Sequence, residues 1–254
     1  MQQADAAAIH EIKANPENYE PNWEQLVKDL KADPATTGWK LEKDEQIGKN
    51  VGTHQRIYTK KLEGDSVNYV RFDAVFTDID ITKYMVMMND IEVRKTWDER
   101  AKGMKCLGKI NENSELVYNI VELPFPLTNR DGTNRKFIFH NKTHADFFKK
   151  AGLPEVEHNM YLVVIYPMAL KDYPETSKYV RSKFFLAIIC EENPELKGSI
   201  KINATLKSDM GGNIPDFVVN LISVKMPSKM NENIMIKYQE LDKAGVLDKK
   251  FVIA

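Results

Sequence analysis

From Trp39 to Leu206 the chain is dominated by short runs of valine, isoleucine, phenylalanine and tyrosine, broken by glycine, asparagine and charged turns. This spacing confines it to a sheet-based fold. Nine strands are expected, around Trp39–Leu41, Ile57–Tyr58, Val67–Phe76, Met104–Ile110, Glu115–Leu123, Thr133–Asn141, Met160–Pro167, Tyr179–Cys190 and Ser199–Leu206. Three helical patterns frame them. Trp23, Leu26, Val27 and Leu30 follow a possible N-cap at Asn22, and Asp80 precedes two helices packed end to end. The last pattern begins where Gly211-Gly212-Asn213-Ile214-Pro215 permits a tight turn into a helix. Phe217, Val218, Leu221, Ile222 and Val224 wrap around more than one face of it, so it should be buried on most sides, with a kink or break at Pro227. The fold class is therefore α+β, a curved nine-stranded antiparallel sheet closing around a long C-terminal helix, a geometry that can leave a cavity between the two.

Charge and hydropathy exclude several classes. With 36 basic against 37 acidic side chains the net charge is −1, so no global positive field gathers nucleic acid. The longest apolar stretch, Met160–Leu170, is broken by Pro167 and is too short to span a bilayer. Asp5, His10 and Glu11 fall where a secretory signal needs an apolar run, so a cytoplasmic location is expected. Cys106 and Cys190 lack the paired spacing of a zinc site and read as buried reduced thiols. His140 and His144 fall at a strand end without the glutamate of a zinc hydrolase, and neither a phosphate-binding glycine loop nor a nucleophile elbow is present. No metal, cofactor or catalytic residue is assigned.

Three stretches in one order carry a family resemblance: Val93-Arg94-Lys95-Thr96-Trp97-Asp98, then Val117-Tyr118 leading into Leu123-Pro-Phe-Pro-Leu-Thr-Asn-Arg130-Asp131, then Gly211-Gly-Asn-Ile-Pro215. Together they resemble the StAR-related lipid transfer (START) domain, and within it the phosphatidylcholine-transfer branch. The resemblance implies a helix-grip fold whose sheet and last helix enclose a lipid tunnel. It implies one lipid-binding domain over residues 21–246, with an N-terminal extension at 1–20 and a tail at 247–254.

Arg94 and Asp98 are four apart on a predicted helix and can pair on one face. On spacing alone a surface ion pair explains them. The resemblance implies instead that Arg94 meets a lipid phosphate inside the cavity and Asp98 positions it, which suits a planar guanidinium. Trp97 reads as a packing anchor, and the Arg130-Asp131 pair as a structural or turn feature at least as readily as a lipid contact. The choline-binding branch surrounds its head group with aromatic rings. Here two matching positions are Asn119 and Gly132, and Phe185 is the ring expected to remain. A strict phosphatidylcholine carrier is therefore not expected; an ethanolamine, serine, inositol or ceramide-type head suits Asn119 better.

Phe125 and Leu127, set between Pro124 and Pro126, either fold back onto the core or form a lid that meets the bilayer. Met87, Leu221 and Ile222 are expected to line the cavity. The expected function is a monomeric carrier of one phospholipid, peripheral and transient at membranes, that performs no bond chemistry. A lipid-dependent sensor or adaptor is the alternative, and a helix-grip enzyme acting on a hydrophobic substrate a more distant one.

Overall fold

The computed structural model describes residues 3–47, 53–61, 68–101, 103–123, 125, 127–170, 178–211 and 224–251. Its helices start where polar side chains satisfy free backbone N–H groups. After α1 (Gln3–Ala14), Asn22 accepts the Gln25 amide and opens α2 (Trp23–Lys31). Asp80 accepts the Lys83 amide at the head of α3 (Ile81–Asn89), and Asp90 accepts those of Glu92 and Val93 at the head of α4 (Ile91–Trp97). The two end-to-end helices read from the sequence are these.

The strands are β1 (Lys40–Gln46), β2 (His54–Lys61), β3 (Asn68–Thr77), β4 (Lys105–Asn111), β5 (Ser114–Val121), β6 (Arg130–His140), β7 (Met160–Pro167), β8 (Val180–Arg181), β9 (Lys183–Glu192) and β10 (Ser199–Asp209). They pair in the order β1-β2-β3-β10-β9-β7-β6-β5-β4, every neighbour antiparallel, while β8 pairs with β6 in parallel off this path. The run expected as one strand over Tyr179–Cys190 divides at Ser182, whose amide and hydroxyl both donate to the Asp131 carbonyl.

The sheet is covered on both faces. On one, Phe76, Ile138, Val163, Cys190 and Ile202 meet α3, α4 and the final helix, here α6 (Met226–Lys243). On the other, Phe137, Phe139, Leu162 and Ile189 meet α2 and the short α5 (Ala145–Lys150). Trp23 anchors that second layer with edge-on contacts to Phe137, Phe139 and Phe147 at 5.0, 5.3 and 5.1 Å. Residues 1–20, expected only as an extension, contain α1, whose Ala8, Ile9 and Ile12 pack on Leu107, Ile110 and Leu116 of β4 and β5.

Helix α6 is tied at both ends. The Tyr238 hydroxyl accepts the Asp80 amide at 2.9 Å, and Lys83 pairs with Asp242 at 2.6 Å. At the other end Asn231 donates to Gln55 at 2.7 Å and Ser228 to Glu45 at 2.5 Å. Pro227, expected to kink or break the helix, lies in the first turn of α6, where the π-helical residues 224–225 run into the α-helix. The expected earlier half of this helix, with Leu221 and Ile222, lies outside the described residues.

Candidate functional site

Arg94 and Asp98 share a face at the end of α4, as their spacing predicts. The Arg94 Nε and Nη2 both donate to Asp98 Oδ2 at 3.2 Å, and Nη1 donates to the Met88 carbonyl at 3.1 Å. A second guanidinium joins them. Arg100 Nε donates to Asp98 Oδ1 at 2.9 Å, and Nη2 to Oδ2 at 3.3 Å. Helical spacing places residue 100 on another face of α4. It returns because the chain leaves the helix through a 3-10 turn, Glu99–Ala101, which folds Arg100 back over Asp98.

The electrostatics of this cluster are lopsided. Burial pushes the Asp98 carboxyl up, but Arg94 and Arg100 outweigh it and hold the group below its ordinary range. Burial dominates at Arg94, lowering its pKa against the pull of Asp98. Two cations thus share one carboxylate, an excess of one positive charge. The Asp98 side chain is 4% exposed and that of Arg94 21%.

Across from α4, alternate residues of β5 and β6 share the helix-covered face with Ile138. They form three cross-strand pairs: Glu115 with Lys136, Val117 with Asn134, and Asn119 with Gly132. Lys136 bonds Glu115 at 2.5 Å and donates to the Asn89 carbonyl at 3.1 Å. Asn134 donates to Asn119 Oδ1 at 2.6 Å. A Cβ at Gly132 would stand 3.3 Å from both Asn119 Oδ1 and the Ser182 carbonyl, so its neighbours leave little room for a side chain at this position.

Phe185 does not join them. It pairs with Lys207, packs in the cluster formed with α2, and meets the Tyr166 ring at 6.4 Å, all on the opposite face of the sheet from Asn119. Alternation gives the helix-covered face to Phe184 and Leu186 instead. Met87 also departs from expectation. It is 0% exposed within the core, where its carbonyl accepts the Trp97 indole N–H at 3.3 Å, so it offers no surface to a cavity. Its neighbour Met88 is only partly buried. Trp97 is the packing anchor that its sequence context predicts.

The loop after β5 presents Phe125 with 97% exposure, while Leu127 is half-buried; Pro124 and Pro126 lie outside the described residues. Asn129 closes the loop by accepting the Leu123 amide at 3.0 Å. Arg130 and Asp131 do not pair with each other. Buried Arg130 donates to the carbonyls of Thr128, of Met210 at 2.9 Å and of Gly211 at 3.1 Å. Asp131 accepts from Arg181 at 2.8 Å and from the Tyr118 hydroxyl at 3.1 Å. Gly211 has φ +63°, and a Cβ there would stand 2.8 Å from the Arg181 carbonyl, so the glycine is required by conformation and by space.

Among the described residues no helix is long and apolar enough to cross a membrane. The family profile described as the START domain matches residues 18–236. The phosphatidylcholine transfer protein of Mus musculus is 26% identical over 147 residues, 58% of this chain and 58% of that protein. That of Rattus norvegicus is 25% identical over 131 residues, 52% of this chain and 54% of that protein. The chain thus spans little more than half the length of the curated relatives it matches. Among solved structures, human STARD10 superposes with a TM-score of 0.65 at 21% identity, covering 90% of this chain and 84% of that one. Human StAR-related lipid transfer protein 5 gives 0.65 at 15% identity, covering 95% and 100%.

Proposed function

Because the chain belongs to the START domain family, we propose that it holds one phospholipid between its sheet and its last helix and carries it between membranes without bond chemistry. The observation that carries this reading is the shared carboxylate. Arg94 has the donors and the excess charge to take a phosphate oxygen pair, while Arg100 keeps Asp98 in place when Arg94 turns to the lipid. Phe72, Leu186 and Ile188 support a hollow under the helices: they lie on interior strands, face the helices, and remain only partly buried. Acyl chains need such surface, since each methylene kept from water is worth about 0.8 kcal/mol.

The head group follows from Asn119, Asn134 and Gly132. Paired amides donate and accept hydrogen bonds, and the crowded Gly132 leaves no cage of rings for a quaternary ammonium. We read the cargo as a phospholipid whose head makes hydrogen bonds, with ethanolamine, serine and inositol the chemistries that fit; phosphatidylcholine, which the mouse relative's name specifies for that protein, is not the sole ligand here. Release needs an opening. A phenylalanine ring almost wholly in water, as Phe125 is, suits insertion into the bilayer interface while the loop and the last helix part.

Native mass spectrometry of protein purified from cells, joined to a vesicle-to-vesicle transfer assay, tests the reading. A bound phospholipid with a hydrogen-bonding head, movement of intact lipid, and loss of loading in Arg94→Ala are expected. Undiminished loading of folded Arg94→Ala would overturn the phosphate role. Phosphatidylcholine as the sole ligand would overturn the head-group reading, and retention without transfer would mark a lipid-dependent sensor instead of a carrier.

A further inference from the structure

We propose that the segment after the last helix, residues 247–251, is a releasable strap that holds the α3–α4 corner down on the sheet, and that its release speeds the entry and exit of lipid. This rests on the carrier reading above, since a strap over the interior matters to transfer only if the interior holds cargo. Helix α6 ends in a Schellman turn: Gly245 has φ +70°, its amide donates to the Asp242 carbonyl at 2.9 Å, and the Val246 amide donates to the Leu241 carbonyl at 3.0 Å. The turn sends the chain back to α3 and α4. Leu247 is buried in the helix-covered core, Asp248 meets Lys83 of α3 at 2.7 Å, and Lys249 stands 3.7 Å from Asp90 at the head of α4. Phe251 follows, its ring edge-on to Tyr161 of β7 at 5.9 Å.

Beside the strap is a cavity of about 370 Å³, walled by Val86 and Asn89 of α3, by Cys106, Glu115 and Lys136 of the strands, and by Phe251 of the strap. It gives the corner room to move. Glu115 and Lys136 close on each other at 2.5 Å and Glu92 on Lys95 at 2.8 Å, so the lining carboxylate that meets the strap is Asp90. Its Oδ1 caps the Glu92 and Val93 amides while its Oδ2 faces Lys249. The strap thus grips the N-cap of the helix that carries Arg94 and Asp98. Its hold is weak by construction: Asp248 and Lys249 are exposed and the Phe251 ring is only partly buried, so local opening costs far less than unfolding. The cavity adjoins the Glu115–Lys136 end of β5 and β6, whereas the Phe125 loop leaves their Val121–Arg130 end, roughly 20 Å away along the strand. Strap and loop therefore stand at opposite ends of the same two strands.

The test compares the full chain with its Lys249→Gln/Phe251→Ala variant in vesicle-to-vesicle transfer of a fluorescent phosphatidylethanolamine and in hydrogen exchange. Both changes leave Leu247 and the Lys83–Asp248 pair in place, so the fold should be kept. The variant should transfer lipid at least roughly five-fold faster, the worth of one ring contact and one exposed ion pair. Protection should fall at residues 86–93 and 247–251 and stay unchanged at 123–129. Phe251→Trp, which keeps a ring over the cavity, should behave as wild type. Lys249→Gln alone touches no core contact and should show part of the rise, which keeps the proposal open to refutation if the double variant folds poorly. A folded variant that transfers at the wild-type rate or more slowly would overturn the proposal, and so would unchanged protection at 86–93. Wild type that moves no lipid, beside a variant that still loses protection at 86–93, would sink the carrier reading and confine the strap to holding the corner.

Discussion

Arg94 and Arg100 hold the same carboxylate: Asp98 accepts Arg94 at 3.2 Å through Oδ2 and Arg100 at 2.9 Å through Oδ1. An isolated buried arginine–aspartate pair is neutral and has little reason to leave its partner for a phosphate. Adding Arg100 changes that balance, because the carboxylate is divided and Arg94 is left partly unneutralised. Asp98 and Arg100 also line a groove between the end of α4 and α6, and Arg94 donates besides to the Met88 carbonyl.

Replacing Asp98 by Asn should remove about 3 kcal/mol of stability, the cost of leaving a largely buried guanidinium without its anion. The pH dependence has a definite sign. The folded-state pKa of Asp98 lies below its ordinary value, so the stabilisation is complete above the unfolded pKa and is lost as pH falls through the folded one. Thermal melts at several pH values should therefore show wild type and Asp98→Asn well separated near neutrality and converging in acid. A separation that persists unchanged to low pH would refute the ion-pair account.

Arg100→Gln should weaken phospholipid loading although Arg100 lies on the groove side of the cluster. With it gone, Asp98 neutralises Arg94 alone, and a phosphate must displace the carboxylate instead of sharing the site. A drop of roughly ten-fold in lipid occupancy by native mass spectrometry is expected, equivalent to about 1.4 kcal/mol. Occupancy equal to wild type would show that Arg94 needs no help from its neighbour.

Asn119→Leu and Gly132→Ala probe the opposite wall. The first leaves the buried Asn134 amide without its acceptor and should cost about 2 kcal/mol. The second brings a methyl to 3.3 Å from two oxygens, Asn119 Oδ1 and the Ser182 carbonyl, and should cost about 1 kcal/mol. Both should change the spectrum of co-purified lipids toward heads that make fewer hydrogen bonds. An unaltered spectrum in two folded variants would remove these residues from the head-group site.

The sequence discloses those parts of the fold that depend on local rules. Asn22, Asp80 and Asp90 are caps because a short polar side chain before an apolar period satisfies free amides, and that logic needs no tertiary context. Phe184 and Phe185 show where it stops. The run Phe184–Cys190 is apolar throughout because helices cover both faces of the sheet, so alternation carries no signal for which ring points inward. The interruption at Ser182 sets the register that decides it, and Ser182 is held by hydrogen bonds to Asp131, 51 residues earlier in the chain. Arg100 is hidden for a related reason, since a single 3-10 turn moves it off the helical wheel. Helix α1 is alanine-rich and weakly patterned, and its buried Ala8, Ile9 and Ile12 find their partners in a cluster built largely from β4 and β5.

Arg130 links the loop that carries Phe125 to the end of β10. Its guanidinium donates to Thr128 on one side and to Met210 and Gly211 on the other, and burial lowers its pKa without a carboxylate to offset the cost. Arg130→Ala leaves three carbonyls short of a donor and should destabilise the chain by about 3 kcal/mol. Arg130→Lys keeps the charge but loses the planar fork, so it should fall between the two. Hydrogen exchange distinguishes a link from a general stabiliser: protection should decline together at residues 123–129 and 208–211, with the lysine variant intermediate at both. A decline confined to one segment would mean that Arg130 holds that segment alone, and that the loop and the approach to the last helix move independently.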